Sequence, residues 1–521
     1  MARMLVALLF ALAFTLRPAF AADLVIGLAA DVTSIDPHVL NAAPNNSIAE
    51  HIYDTLVHRD AQQRLRPGLA EAWRPVDDTT WEFKLRRGIR LHDGSEFTAE
   101  DVAFTIDRPA GLKGVPGGFT VFTRAIAEKI IVDPYTIRFR TAKPYPNLPI
   151  DMSLLHMLSK KAASNATTAD FDSGKPAIGA GPYKLVRFAK GDRIELARHD
   201  GYWGAKPAWE RVTFRLLTND ASRIAALLAG DVHFIEVIPP QDYARVRASK
   251  DLQAYTISSN RMIFFHLDSD RDKTPFAFDK AGKPLEKNPF KDARVRRAFS
   301  KAINRQAIVE RVMEGLAIPA GQLVPEGFFG YVPGLKPEPH DPDGARKLLA
   351  EAGYPDGFAL TLHGPNNRYV NDEQVVQAVA QMLARAGITA RVETLPFSVY
   401  TTRARKYEFT AALLGWGVST GEASYPLTSL IATVNAEKGM GPWNWSRYSN
   451  SKMDLLLDQA LATVDNAKRE KLLQEATEIA IRDQAVVPLH YQVNTWASRR
   501  NFTYLPRTDE RTYAHAVKPA Q

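Results

Sequence analysis

Short apolar runs of strand character alternate along this chain with capped, helically spaced segments, and that alternation restricts it to α/β architecture. Ala22 to Ala29 reads as a strand. Asn46 to Leu56 has helical spacing, with Ile48, Ile52, Tyr53 and Leu56 on one face. Trp81 to Leu85 alternates as a strand, turns at Arg86-Arg87-Gly88 and returns over Ile89 to Leu91. Thr98 and Asp101 form a capping box opening a helix from Ala99 to Arg108. Val212 to Leu217 and Asp231 to Val237 are strands around a helix capped by Asp220 and ended by Gly230.

The unit recurs later. Asp341 as N-cap, Pro342 at the first helical position and Gly353 beyond the last turn bound one helix. Phe358 to His363, Thr389 to Leu395 and Phe409 to Leu414 are strands, with a helix from Asp372 to Ala386 between the first two. Ser451 and Asp465 cap two further helices before a closing strand, Val486 to His490. Two α/β regions emerge, around 176–262 and 340–490, with largely parallel sheets. At 521 residues, one core is too few and two or three domains are expected.

Several function classes fall away. With no cysteine, disulfide frameworks, thiolate metal sites and Cys nucleophiles are excluded. The net charge of +8 is spread thinly, without the basic stripe of a nucleic-acid binder, so no nucleic-acid partner is expected. Met1 to Ala21 reads as a secretory signal, with Arg3, an apolar stretch Leu5 to Leu16 and an Ala19-Phe20-Ala21 cleavage site. That stretch is too short to span a bilayer, so an exported protein without direct membrane insertion is expected. Phosphate-cradling, dinucleotide and zinc-helix motifs are missing, no cofactor is implied, and the His51 and His58 pair has no acid nearby to complete a metal site. One enzymatic motif matches: Gly417-Val418-Ser419-Thr420-Gly421 after an apolar strand, with Asp454, Asp458 and Asp465, then His490 and His515, in hydrolase order. Pro426 stands where the helix of such an elbow should run, so a secreted serine hydrolase using Ser419 is the minor reading.

The segments Ala70-Glu71-Ala72-Trp73, Thr80 to Gly94 (TWEFKLRRGIRLHDG) and Phe97 to Val102 (FTAEDV) resemble the family 5 extracellular solute-binding proteins. These are the dipeptide-, oligopeptide- and nickel-binding components of ABC importers. The likeness continues in family order through Gly179 to Tyr183, Tyr202-Trp203-Gly204, Asp292 to Ala298, Asp341 to Pro355 and Pro488-Leu489. It implies a two-lobed periplasmic-binding-protein-like fold of the cluster C type, with an extra subdomain in lobe I. The corresponding expectation is a signal peptide at 1–21, lobe I from 22–57, 176–262 and 486–521, the extra subdomain at 58–175 and lobe II at 263–485. The implied function is a periplasmic receptor that encloses a short peptide or peptide-like solute and hands it to an inner-membrane ABC permease. A non-peptide solute (an opine-like conjugate, organic acid or metal chelate) is the alternative.

Candidate ligand contacts follow. Residues 397–450 hold nine aromatics in polar, glycine-rich surroundings. Trp416, flanked by Gly417 at a strand's carboxyl end, stands where α/β folds place ligands, and Tyr425 and Trp445 accompany it. In peptide-binding relatives the loop after Gly-Trp carries an Asp for the ligand amine; here Glu422 is the only acid available for that role. The resemblance also implies that Asp31, Val32 and Thr33 line the cleft opposite Trp416. Arg368 and Arg447 are the candidates for a ligand carboxylate.

Overall fold

A computed structural model describes residues 23–112 and 119–520. The expected signal segment Met1–Ala21 lies outside the described residues.

A twelve-stranded mixed sheet runs through the molecule. Ten of its strands are labelled here: β1 (Asp23–Leu28), β2 (Tyr183–Ala189), β3 (Arg193–Arg198), β4 (Arg211–Leu216), β5 (Phe234–Glu236), β6 (Leu252–Leu267), β7 (Phe358–Pro365), β8 (Ile388–Leu395), β9 (Ala411–Gly417) and β10 (Val487–Arg499). Their spatial order is β2-β3-β4-β1-β5-β10-β6-β9-β7-β8. Strand β1 is parallel to β4 and β5, and β7 is parallel to β8 and β9. The long strands β6 and β10 pair antiparallel with each other and join these two halves. Parallel pairing therefore holds in the 340–490 region, but within 176–262 the pairs β2-β3 and β3-β4 are antiparallel and the parallel pairs there are made only with β1, so the expectation of largely parallel sheets gives way to a mixed sheet.

Each half buries its own core. In lobe I, Tyr53, Phe214, Phe234 and Trp496 are buried together. In lobe II, one cluster with Phe264, Tyr400, Leu430 and Leu473 and another with Phe265, Phe299, Leu362 and Val376 contain alternate residues of the same strands, as the pleat requires. A separate four-stranded antiparallel sheet (70–85 and 126–141) packs Phe83 and Phe139 with Phe97 and with Val102 of the capped helix Ala99–Gly111.

Local departures from the sequence reading have local causes. The first helix, Ala43–Ile52, stops before Tyr53, which turns extended so that Asp54–Thr55 can pair with His156–Met157. Ile89 to Leu91 forms no strand; only an isolated bridge, Arg90 to Glu96, closes that turn. Asn219 rather than Asp220 caps its helix, accepting the Ser222 N–H at 2.9 Å, and Asn450 rather than Ser451 caps Ser451–Leu461. In both cases the amide side chain one position earlier is the one that reaches the orphan N–H groups. The closing strand is β10, thirteen residues long, because it runs on through both lobes.

Candidate functional site

The junction of the lobes is set by an irregularity where β6 and β10 cross. Their register shifts between Ser258 and Met262, so the residues between leave the ladder. The backbone groups of Asn260 find partners on opposite sides: its N–H donates to the Thr508 carbonyl at 2.8 Å and its carbonyl accepts the Val418 N–H at 3.0 Å. Arg261 grips Glu510 with two hydrogen bonds of 2.7 Å, and the Ser259 hydroxyl donates to the same carboxylate at 3.1 Å. Burial opposes the charge on Glu510, but the Arg261 guanidinium beside it prevails and holds the carboxyl below its ordinary range. Glu510 adopts a φ of 64°, a left-handed conformation costly for a non-glycine residue and maintained here by that grip.

Strand β9 ends at this crossing. Trp416 lies opposite Met262 and Gly417 opposite Arg261. A Cβ at Gly417 would come within 3.2 Å of the Arg261 guanidinium, so the glycine leaves room for the Arg261–Glu510 pair. The half-buried Trp416 ring packs between Tyr425 at 5.2 Å and Trp443 at 5.6 Å. Its indole Nε1 is buried with no hydrogen-bond partner among the described residues. An indole N–H in that condition is an unmet donor at the end of a strand.

The remaining predicted residues occupy varied positions. Glu422 is buried, and its carboxylate is taken by the buried Arg469, whose Nη1 donates to both oxygens at 2.9 and 2.8 Å. Arg469 also donates to Asn147 at 2.9 Å, and the Asn147 amide donates to the Ser424 hydroxyl at 3.3 Å. The loop acid is thus committed to a partner within the protein. Trp445 is buried in the lobe II core near Tyr400 and His266. Arg447 is exposed, with its guanidinium 3.8 Å from the Tyr407 ring centre and 3.6 Å from Asp270. Asp31 is exposed, Val32 belongs to the lobe I core, and the Thr33 hydroxyl accepts the Asn45 amide at 3.2 Å. Among the described residues no hydrogen bond joins 31–33 to 416–425. Arg368 reaches over Tyr369 and Phe397, its guanidinium 5.3 and 5.5 Å from the ring centres, and has no carboxylate partner among the described residues. Burial and the neighbouring Arg261 charge both lower its proton affinity.

The sequence reading missed the lobe I side of this junction. Arg59 donates to the Ser419 carbonyl, joining the two lobes, while its other terminal nitrogen, Nη2, is buried without a partner. Gln63 is buried against Gly421, and both its amide atoms lack partners. The Thr420 hydroxyl is in the same condition. Ser419 itself shows no histidine partner among the described residues: the His490 ring, in β10 beside Ile263, makes no hydrogen bond, and burial pushes its pKa down to about 4. No group of three or more potential ligand residues able to hold a metal occurs among the described residues; His51 is occupied by the Ser47 carbonyl and the Ala514 N–H, and His58, contrary to the sequence reading, has an acid beside it, Asp54.

Comparison with known proteins places this architecture. The family model for bacterial extracellular solute-binding proteins, family 5 Middle, matches residues 64–438, and the chain belongs to that family. A glutathione-binding protein, GsiB, of Salmonella choleraesuis is 29% identical over 502 residues, covering 93% of this chain and 92% of that protein. Among solved structures, the periplasmic binding protein DppA of Helicobacter pylori, in complex with the peptide STSA, matches with a TM-score of 0.78 at 24% identity, covering 96% of this chain and 98% of that one. The substrate-binding protein CtaP of Listeria monocytogenes gives 0.81 at 21%, covering 96% and 100%. These likenesses establish the two-lobed fold. No helix among the described residues is long and apolar enough to cross a membrane.

Proposed function

We propose that this chain is a periplasmic receptor of an ABC importer, binding a short peptide or peptide-like solute at the junction of its lobes and presenting it to an inner-membrane permease. The observation that carries the reading is Trp416: an aromatic face at a strand's carboxyl end, beside the crossing strands, with a buried indole N–H awaiting an acceptor. The full-length likeness to a glutathione-binding protein supports a peptide-like solute. Arg368, at the same junction and without a carboxylate partner among the described residues, is the residue for a solute carboxylate. Because Glu422 is bonded to Arg469, this reading does not assign the solute amine to it.

The mechanism is closure about the bend at Ser258–Met262. Contacts made with both lobes favour the closed arrangement by differential affinity, and no covalent bond changes. The test is a thermal-shift panel on protein stripped of ligand, with di- and tripeptides, glutathione, opine-like conjugates, sugars and nickel chelates. A solute at a hundredfold its dissociation constant adds about 2.7 kcal/mol of stability. A melting shift with peptides is the expected result. A shift only with sugars or chelates removes the peptide reading.

A further inference from the structure

A cavity of about 120 Å³ lies in lobe I directly behind the junction, lined among others by Glu50, Asp54, His58, Arg59, Arg507 and Arg511. Most of the charges around it are paired. Arg511 is bonded to Glu50, Arg507 to Asp509 through contacts of 3.0 and 2.7 Å, and His58 to Asp54. Arg59 is left over. Its one hydrogen bond goes to a neutral acceptor, the Ser419 carbonyl, and Nη2 is buried with no partner. Burial and repulsion from Arg511 push its pKa down to about 10, so it remains a cation at neutral pH, but a strained one. No acidic side chain can be hidden elsewhere in the chain, because residues 1–22, 113–118 and 521 contain neither Asp nor Glu.

A half-buried guanidinium whose Nη2 is buried and unbonded lacks what every other arginine around this cavity possesses, a carboxylate within hydrogen-bonding reach. The cavity has room for one, since a water claims roughly 30 Å³ of liquid volume. Close by, Gln63 offers a buried amide whose donor and acceptor are both unspent, suited to the polar atoms adjoining an acidic group. Across the junction Arg368 is a second cation without an acid partner. We infer that the Arg59 cavity is an acidic-group subsite, receiving one carboxylate of the solute, so that the receptor selects peptide-like solutes or amino-acid conjugates with at least two acidic groups. This rests on the receptor reading above and adds its charge selectivity. Because Arg59 also holds Ser419 of lobe II, filling the subsite ties occupancy to the contact between lobes.

The experiment uses isothermal titration calorimetry with matched probes: glutathione against its glycine-carboxamide, and Ala-Glu-Ala against Ala-Gln-Ala. At least one acid should bind about tenfold more tightly than its amide. Arg59→Met should bring that pair within about twofold, and Arg59→Lys should keep part of the preference. The melting temperature of ligand-free Arg59→Met should equal or exceed that of the parent, since an unpaired buried charge is removed; this shows that the variant folds. Equal binding of acid and amide by the parent overturns the subsite and leaves the receptor reading intact. Equal weakening of both by Arg59→Met also overturns it, reducing Arg59 to a tie between lobes. An acidic opine-like conjugate that binds while peptides do not upholds the subsite and removes the peptide. Silence to every probe and conjugate overturns both readings.

Discussion

The two sides of the junction treat buried arginine in opposite ways. On the lobe II side, Arg469 and Glu422 neutralise each other, and Ser424, with Asn147 reaching over from lobe I, occupies the adjoining hydrogen-bonding positions. What lobe II turns to the junction is largely aromatic, through Trp416 and Tyr425. On the lobe I side, two arginines are paired and a third, Arg59, is not. An aromatic face binds many solutes with little discrimination, whereas a desolvated charge rejects any solute that leaves it unpaired. On the proposed reading, affinity and selectivity are divided between the lobes, and both are satisfied only when the lobes meet.

Acid should produce the largest effect and should separate the two sides. Burial pushes His266 and His490, on the lobe II portions of β6 and β10, down to about 3 and 4, and His515 in lobe I to about 3. The ordinary value is 6.5, so below it the unfolded chain binds more protons than the folded one and stability falls with pH. Lobe I carries an additional group: against the push of burial, Arg507 and Arg511 hold Asp509 down to about 2 from an ordinary 3.8. The stability that Asp509 contributes is present above that ordinary value and is lost toward pH 2. Urea unfolding at stepped pH should show declining midpoints below 6.5; a flat midpoint down to pH 4 would contradict the neutral buried histidines.

Next in size is Arg469→Met, which strands a buried carboxylate and should cost about 3–5 kcal/mol in denaturant unfolding. A loss no greater than that of Arg59→Met would erase the contrast between the lobes. Trp416→Ala should weaken solute binding by more than about tenfold, or 1.4 kcal/mol, with ligand-free stability changed far less; an unchanged dissociation constant removes Trp416 from the site. The smallest effect belongs to Asn147→Ala, about 1 kcal/mol, and it should appear in binding rather than in ligand-free melting, because the Asn147 bonds exist only across the junction.

What was legible in the sequence is what depends on neighbours in sequence. The capping box at Thr98 and Asp101, the Asp341-Pro342 start, the Gly230 stop and the position of Trp416 at a strand end all rest on spacings of a few residues. The junction is built from partners far apart. Arg59 meets Ser419 across 360 positions, Arg261 meets Glu510 across 249, and Arg469 meets Glu422 across 47. No local pattern marks one arginine as paired and another as spare. For that reason Glu422 looks available in sequence and is engaged in the structure, while Arg59, beside an unremarkable turn, passes unnoticed.

The crossing of β6 and β10 also bears on when this chain can fold. Strand β5 takes its outer partner from β10, and Trp496 of β10 fills the core behind β1, so the first strand to be made waits for residues near position 496. The Arg261–Glu510 grip waits longer still. The sheet of lobe I therefore cannot be completed early in synthesis: it lacks an interior strand until nearly the whole polypeptide is available. On the receptor reading, in which the chain has to be threaded through a membrane, this topology helps to keep lobe I from completing its core until its last segment arrives.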